Sequence, residues 1–460
     1  VSALWTASEA AQALGLAPSG EWIAQNVSID SRAVEPGDLF VAIVGEQFDG
    51  HDFVAAAFAK GAVAALTTRQ TGEGPQLIVP DTLAGLARLG EAARARSTAK
   101  VAAVTGSVGK TGTKEMLALV LRAQGPTHAS PGNFNNHIGA PLSLARLSRD
   151  AAFAVFELGM NHPGEIAPLS RLVQPAVAII TNVEPVHLEY FANEEGIADE
   201  KAAIFAGLPK GGTAILNRDN RHFERLKRHA DALDLRVLTF GTSDLAGFRL
   251  RDSKDDADGV AVEAEIEGTA ITYRVGSPGR HWALNSLSVL AAVSALGGDV
   301  AKAASTLAGM TAPKGRGAAK TIELPGGGGA TLIDESYNAS PAAVRAAIAV
   351  LAHRKPSAGG RRIFVLGDML ELGPSAAAQH QALAADFAAF GIDRVHTVGP
   401  LCQGLHEALP HGLRGLHAAK ANDIVEDLKA DLRPGDVITV KGSLGTKMGV
   451  VVAALTAGAS

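Results

Sequence analysis

Short apolar runs rich in β-branched residues recur along the chain, each ending in Gly, Asn, Asp or Glu and each followed by a stretch rich in Ala and Leu. VAAVTG (101–106), FAVFE (153–157), VAIITN (177–182), IFVLGD (363–368) and VITVKG (437–442) are the clearest. Runs that are apolar on both faces and alternate with helical stretches predict strands covered by helices on both sides, the pattern of a parallel sheet. The chain is therefore expected to be α/β, with its sites at the carboxyl ends of strands. Between 245 and 273 the pattern changes to alternation, as in VAVEAEIEGTAITYRV, which predicts antiparallel hairpin strands. GGGG (326–329) reads as a hairpin turn. The polar helical stretch EAARARSTAK (91–100) precedes an abrupt strand, and APKGRG (312–317) sets Pro and Gly around two cations. These breaks divide the chain into 1–98, 99–312 and 313–460.

Composition narrows the function classes. A chain of 460 residues suggests about three domains at roughly 150 residues each. The net charge of -5 leaves no general surface for nucleic acid. The single cysteine, Cys402, allows neither an intrachain disulfide nor a cysteine-built zinc site, which makes the cytoplasm the expected compartment. Cys402 has no evident base nearby in sequence, so a nucleophilic role is not expected. The first basic residue is Arg32, so no signal peptide is expected, and no run approaches the ~18 apolar residues of a membrane span.

The strongest local signal is TGSVGKT (105–111), with Gly106, Ser107, Gly109, Lys110, Thr111 and the following Gly112. It follows a buried-type strand and precedes a helix expected from Thr113 to Gln124, with Leu117, Val120 and Leu121 on one face and Gly125 at its end. Glycines let backbone N–H groups turn onto phosphate oxygens, and the helix start adds its positive end. Lys110 neutralises outer phosphates, and the Thr111 hydroxyl suits Mg2+. Val104 stands where the longer pattern has its first Gly, so the match is to a GxxGKT form. The competing reading is an ordinary strand-to-helix turn.

A nucleotide site also needs metal ligands at neighbouring strand ends. Glu157 ends one apolar run and His187 follows another by a short loop. Taken alone, Glu157 reads equally as a solvated carboxylate, His187 as a loop histidine and Lys201 as a surface lysine. His222 and His229, in RHFERLKRHA, read as a solvated basic face.

Beyond these sites, the chain resembles the Mur ligases, and within them the MurF-type branch that joins D-alanyl-D-alanine to UDP-N-acetylmuramoyl-tripeptide with ATP. The motifs are DSRAVEPGDLFVAIVGEQFDGHDFV (30–54), TGSVGKT (105–111), GNFNNHIGAPLSL (132–144), ELGMNHPGEI (157–166), TNVEPVHLEYF (181–191), GRHWALN (279–285), DESYNASP (334–341), LGDMLELG (366–373) and KGS (441–443). The resemblance implies a central P-loop parallel-sheet ATPase domain, an N-terminal α/β domain binding the UDP-sugar, and a C-terminal Rossmann-like α/β domain. The last would bind the incoming dipeptide and complete the ATP site. It implies that Thr111, Glu157 and His187 gather Mg2+, and that Lys201 is carbamylated and so also serves the metal. Ala203 stands where the family tends to have Glu, and Trp282 where it usually has Asn. Ser31 and Arg32 would hold the UDP-sugar, and Asn133 and Asn136 would contact the muramyl substrate. His281 and Asn285 would lie beside the nucleotide base. Arg316 and Asp334 would reach ATP from the third domain, with Tyr337 and Asn338 near nucleotide or dipeptide.

The chemistry implied is acyl activation by phosphoryl transfer, in a monomer. Lys110, His187, Lys201 and Arg316 are the expected catalytic residues. The alternatives are another ATP-dependent amide ligase, such as a sister Mur ligase or a folylpolyglutamate synthase, a P-loop switch, and a non-catalytic UDP-sugar binder.

Overall fold

The computed structural model describes residues 3–45, 47–185, 188–324, 327–357 and 359–457. The largest sheet has nine strands. In spatial order they are Thr127–Ala129, Phe153–Glu157, Lys100–Thr105, Val177–Ile180, Thr213–Asn217, Arg236–Gly241, Phe248–Asp255, Val260–Ile266 and Thr269–Val275. The first seven run parallel, and the last two are added as antiparallel hairpin strands, as the alternating stretch predicts. A four-stranded parallel sheet spans Asn26–Ser28, Asp38–Val41, Ala64–Thr67 and Gln76–Ile78. A six-stranded sheet has one antiparallel edge strand, Ala318–Glu323. Its other five strands are Gly329–Glu335, Val437–Lys441, Arg362–Gly367, Arg394–Val398 and Arg414–Ala418. The α/β class is as expected.

The apolar runs show why. Along Lys100–Thr105, Val101 and Ala103 pack into one core while Ala102 and Val104 pack into another. Alternate side chains point to opposite faces of a strand, so a strand covered on both faces must be apolar throughout. One of these cores continues into the N-terminal unit, where it takes in Trp5, Leu86 and Leu89. Trp5 Nε1 donates to the Ala145 carbonyl at 2.9 Å, and Arg146 Nε donates to that of Val27 at 2.6 Å. The N-terminal and central units thus share a core across the expected break near 98. The six-stranded sheet has cores of its own.

Two local expectations need correction. The helix after TGSVGKT spans Lys110–Arg122. It starts three residues early because the loop's last turn is already helical. His222 is buried, with Nε2 3.2 Å from Glu194 Oε2, and only His229 is exposed to solvent. Among the described residues, no helix is long and apolar enough to cross a membrane.

Candidate nucleotide and metal site

Strands Phe153–Glu157, Lys100–Thr105 and Val177–Ile180 are neighbours, so their carboxyl ends open onto one place. The phosphate-type loop leaves the middle strand there. Gly106 has φ 146°, and a Cβ on it would lie 1.9 Å from Thr181 Oγ1. Gly109, at φ 89°, starts the helix. Only glycine takes such backbone without strain.

The following strand end holds the loop. Val108 N–H donates to Asn182 Oδ1 at 2.9 Å, and Thr181 Oγ1 donates to the Val108 carbonyl at 2.6 Å. Ser107 N–H donates to the Asn182 carbonyl at 3.0 Å, and Glu184 N–H donates to Ser107 Oγ at 2.9 Å. Asn182 escaped the sequence reading, although its place directly after a buried strand was a signal. Lys110 Nζ donates to the Gly106 carbonyl at 2.7 Å, so the ammonium lies over the loop. Burial lowers its pKa, Glu157 opposes that shift, and Arg316 adds to it.

Thr111 and Glu157 meet. Thr111 Oγ1 donates to Glu157 Oε2 at 2.7 Å, and Asn135 Nδ2 donates to Glu157 Oε1 at 2.8 Å. Of the asparagines in GNFNNHIG, Asn135 therefore joins the metal-type cluster. Asn136 Oδ1 accepts from the N–H groups of Ile138 and Gly139 at the start of the helix Gly139–Ala145, and Asn133 is exposed. The Asn-rich loop is anchored by a residue the sequence did not single out. Lys114, buried on the phosphate-loop helix, donates to the carbonyls of Ser130 and Gly132 at 2.7 and 3.1 Å.

Lys201 lies on the helix Glu194–Ala202 and is 2% exposed, which excludes the surface reading. Its ammonium has no hydrogen-bond partner among the described residues. Burial first and the Lys110 charge second push its pKa well below the ordinary lysine value, against a smaller opposing effect of Glu200. His187 lies outside the described residues.

The C-terminal unit faces this site. Asp334 is buried and accepts from Gly315 N–H at 3.2 Å and from Ser336 Oγ at 2.6 Å. It shapes the loop that carries Arg316, whose guanidinium stacks 4.3 Å from the Tyr337 ring centroid. Asn338 is exposed, and its carbonyl accepts from Lys441 Nζ at 2.9 Å. A small cavity between the units is lined by His281 and Trp282 on one side and by Gly317, Glu335 and Thr439 on the other. Asn285 lies against the loop glycine instead: a Cβ on Gly109 would come 2.7 Å from its Nδ2.

Comparison with known proteins agrees along the chain. Residues 24–96 match the model "Mur ligase family, catalytic domain", 104–293 "Mur ligase middle domain", and 322–444 "Mur ligase, glutamate ligase domain". The chain belongs to the Mur ligase family. It is 37% identical to the Escherichia coli "UDP-N-acetylmuramoyl-tripeptide--D-alanyl-D-alanine ligase", covering 93% of each chain. A crystal structure of MurF from Acinetobacter baumannii is similar with a TM-score of 0.84 and 30% identity, over 98% of this chain and 99% of that one. The Thermotoga maritima MurF ligase, solved in complex with ADP, has a TM-score of 0.78 at 27% identity over 94% and 97%.

One departure from the Mur ligase pattern has a packing reason. Trp282 is buried against the phosphate-loop helix, where a Cβ on Gly112 would lie 2.9 Å from its ring. At the other, Ala203 begins a 3-10 turn (Ala203–Gly207), and Glu200 is the carboxylate beside Lys201. Glu200 is held by the N–H groups of Gly164 and Ile166 at 2.7 and 2.8 Å. In the N-terminal unit, Ser31 and Arg32 form a turn, and Arg32 Nε and Nη2 both donate to Asp30 at 2.9 and 2.8 Å. That pairing holds the Asp30 carboxyl at about 2.

Proposed function

We propose that this chain is the ATP-dependent ligase that joins D-alanyl-D-alanine to UDP-N-acetylmuramoyl-tripeptide. The observation that carries this reading is the Thr111–Glu157–Asn135 cluster at the mouth of a GxxGKT loop, within a fold whose relatives bear that name. A hydroxyl and a carboxylate are hard oxygen donors suited to Mg2+, and the Asn135 amide orients the carboxylate. The ion would be held by Thr111 and Glu157, with His187 and Lys201 completing its surroundings, and would supply charge neutralisation on the phosphates. A neutral, buried Lys201 amine is the form that adds CO2, giving a carbamate and a proton. The product is carboxylate-like.

The chemistry follows from the substrates. A carboxylate is a poor electrophile because oxide would have to leave. Its attack on the γ-phosphorus of ATP releases ADP and makes an acyl phosphate. The dipeptide amine then attacks the acyl carbon, the C–N bond forms, and phosphate departs with the electron pair of the broken C–O bond. Lys110 and Arg316 would neutralise charge on the transferring group, and positioning would supply much of the rest. Asp334 acts through the Arg316 loop. Units 1–98, 99–312 and 313–460 would each take one reactant: UDP-sugar at Ser31 and Arg32, ATP, and dipeptide near Tyr337 and Asn338. Asn133, exposed beside the site, would reach the muramyl chain, while Asn136 shapes that loop. The enzyme would work as a monomer in the cytoplasm.

The test is incubation with ATP, Mg2+ and UDP-muramyl-tripeptide plus either D-alanyl-D-alanine or glutamate, following phosphate release and product mass. Phosphate release with the dipeptide alone is expected. Release with glutamate instead would make the chain a different amide ligase, and failure to bind Mg·ATP in a titration would leave a UDP-sugar binder.

A further inference from the structure

A second, larger cavity of about 270 Å3 lies between the central and C-terminal units. Its central-unit wall is Glu184 and Pro185, and Pro341, Arg345, Ala378 and Ala382 contribute to the other. This volume falls just below the ~300–1,000 Å3 of drug-sized pockets, which suits a ligand of two small residues.

Two charged groups face each other across it, Glu184 without an ion pair among the described residues and Arg345 paired through one nitrogen only. Glu184 is half-buried, and its carboxylate makes no hydrogen bond or ion pair among the described residues; burial pushes its pKa up. Arg345 has its Nε held by Asp386 Oδ2 at 2.9 Å, which leaves both terminal nitrogens of the guanidinium without a partner among the described residues. The start of the helix Pro341–His353 borders the same wall and adds its positive end. Arg221, Arg345 and His222 offset part of the burial cost of this carboxylate and Glu194 adds to it, so a cation seated against it would be favoured. The cavity therefore presents an anion and a cation on opposite walls, separated by proline and alanine surface.

We propose that this cavity receives the zwitterionic acceptor dipeptide, with its ammonium at Glu184, its carboxylate at Arg345, and its methyl groups against the prolines and alanines. The assignment rests on the ligase reading above, moves the dipeptide from Tyr337 and Asn338 to the stretch that follows them, Ser340 to Arg345, and adds the direction of binding. The direction is functional. Glu184 N–H is bonded to Ser107 Oγ of the phosphate loop at 2.9 Å, so the ammonium end lies beside the loop and the carboxylate end points away. The nucleophilic end then faces the reaction.

Steady-state kinetics of the full chain decide it, comparing D-alanyl-D-alanine with its C-terminal amide. Wild-type turnover of the dipeptide tests the ligase reading, and the variants test the cavity. Glu184→Gln is expected to raise the dipeptide KM by about tenfold or more, with the KM values for ATP and UDP-muramyl-tripeptide unchanged. Wild type is expected to disfavour the amide by a similar factor, and Arg345→Met to abolish that preference. A structural defect would lower use of acid and amide alike and leave their ratio intact. An unchanged acid-to-amide ratio in Arg345→Met, or an unchanged dipeptide KM in Glu184→Gln, overturns the assignment even where wild type makes product.

Discussion

Two mainly parallel sheets each set an acid at the carboxyl end of a buried parallel strand, Glu157 in the central unit and Asp368 in the C-terminal one, and the two acids do opposite things. Glu157 accepts from side chains, the Thr111 hydroxyl and the Asn135 amide. Both can turn toward an incoming ion. Asp368 accepts from the backbone N–H groups of Cys402 and Leu401 at 2.8 and 3.3 Å, which cannot leave without unwinding the start of the helix Cys402–Ala408.

Ligand-type atoms of Asp368, His380 and Cys402 lie within 4.8 Å of one another. His380 nevertheless accepts the Met369 N–H on Nε2 and bonds the Ala376 carbonyl through Nδ1. Burial pushes the Cys402 thiol well up, away from the thiolate a metal needs. Sequence reading saw no base near Cys402; the fold supplies a histidine, but one already committed to the backbone. Proximity of donor types does not make a metal centre. What matters is whether their present partners can be exchanged for an ion.

The sharpest attempt to break this contrast is Lys110→Ala. It is expected to reduce ligation by on the order of 10^3 or more while the circular dichroism spectrum and melting curve stay native. Near-wild-type product from that variant would remove the loop from the mechanism.

Glu157→Gln should cost about 100-fold in kcat and shift the Mg2+ dependence to higher concentration. An unchanged Mg2+ titration would mean that Glu157 is no ligand.

Asp368→Asn should do the reverse. It loses about 1–3 kcal/mol of stability from weakened buried hydrogen bonds, read as a lower Tm, with kcat and the Mg2+ titration unchanged. A changed metal response there would dissolve the distinction between the two sites.

The smallest effect concerns acid. Burial holds His128, on the strand leading into the Asn-rich loop, at about 4. Because an unfolded chain would protonate this residue near pH 6.5, the unfolded state binds the extra proton between about 6.5 and 4. Stability from this group is therefore complete above 6.5 and lost as pH falls through that window. His128→Gln should flatten the loss of Tm between pH 7 and 4.5, and an equally steep profile would assign the acid sensitivity elsewhere.

Much of this molecule is legible along the chain because its demands are local. Glycines at 106 and 109 answer to backbone angles, Lys110 and Thr111 to their spacing from those glycines, and the apolar runs to a sheet covered on both faces. Glu157 was legible as a polar residue ending such a run. What could not be read depends on contacts between distant segments. Asn135 rather than Asn133 or Asn136 reaches Glu157, because loop curvature decides which side chain turns inward. The burial of Lys201 comes from tertiary packing, and a single lysine in the acidic helix Glu194–Ala202 carries no mark of that.

The sequence by itself determined the α/β class, the phosphate loop and the family motifs, since periodicity, glycine geometry and motif spacing act over a few residues. Only the tertiary structure decided that the first two units share one core, and that the Asp368 cluster is closed to ligands. It also set Glu184 and Arg345, 161 residues apart along the chain, on facing walls of one cavity. Those outcomes turn on which buried polar atoms find partners, and partners are assigned only when distant strands and helices meet.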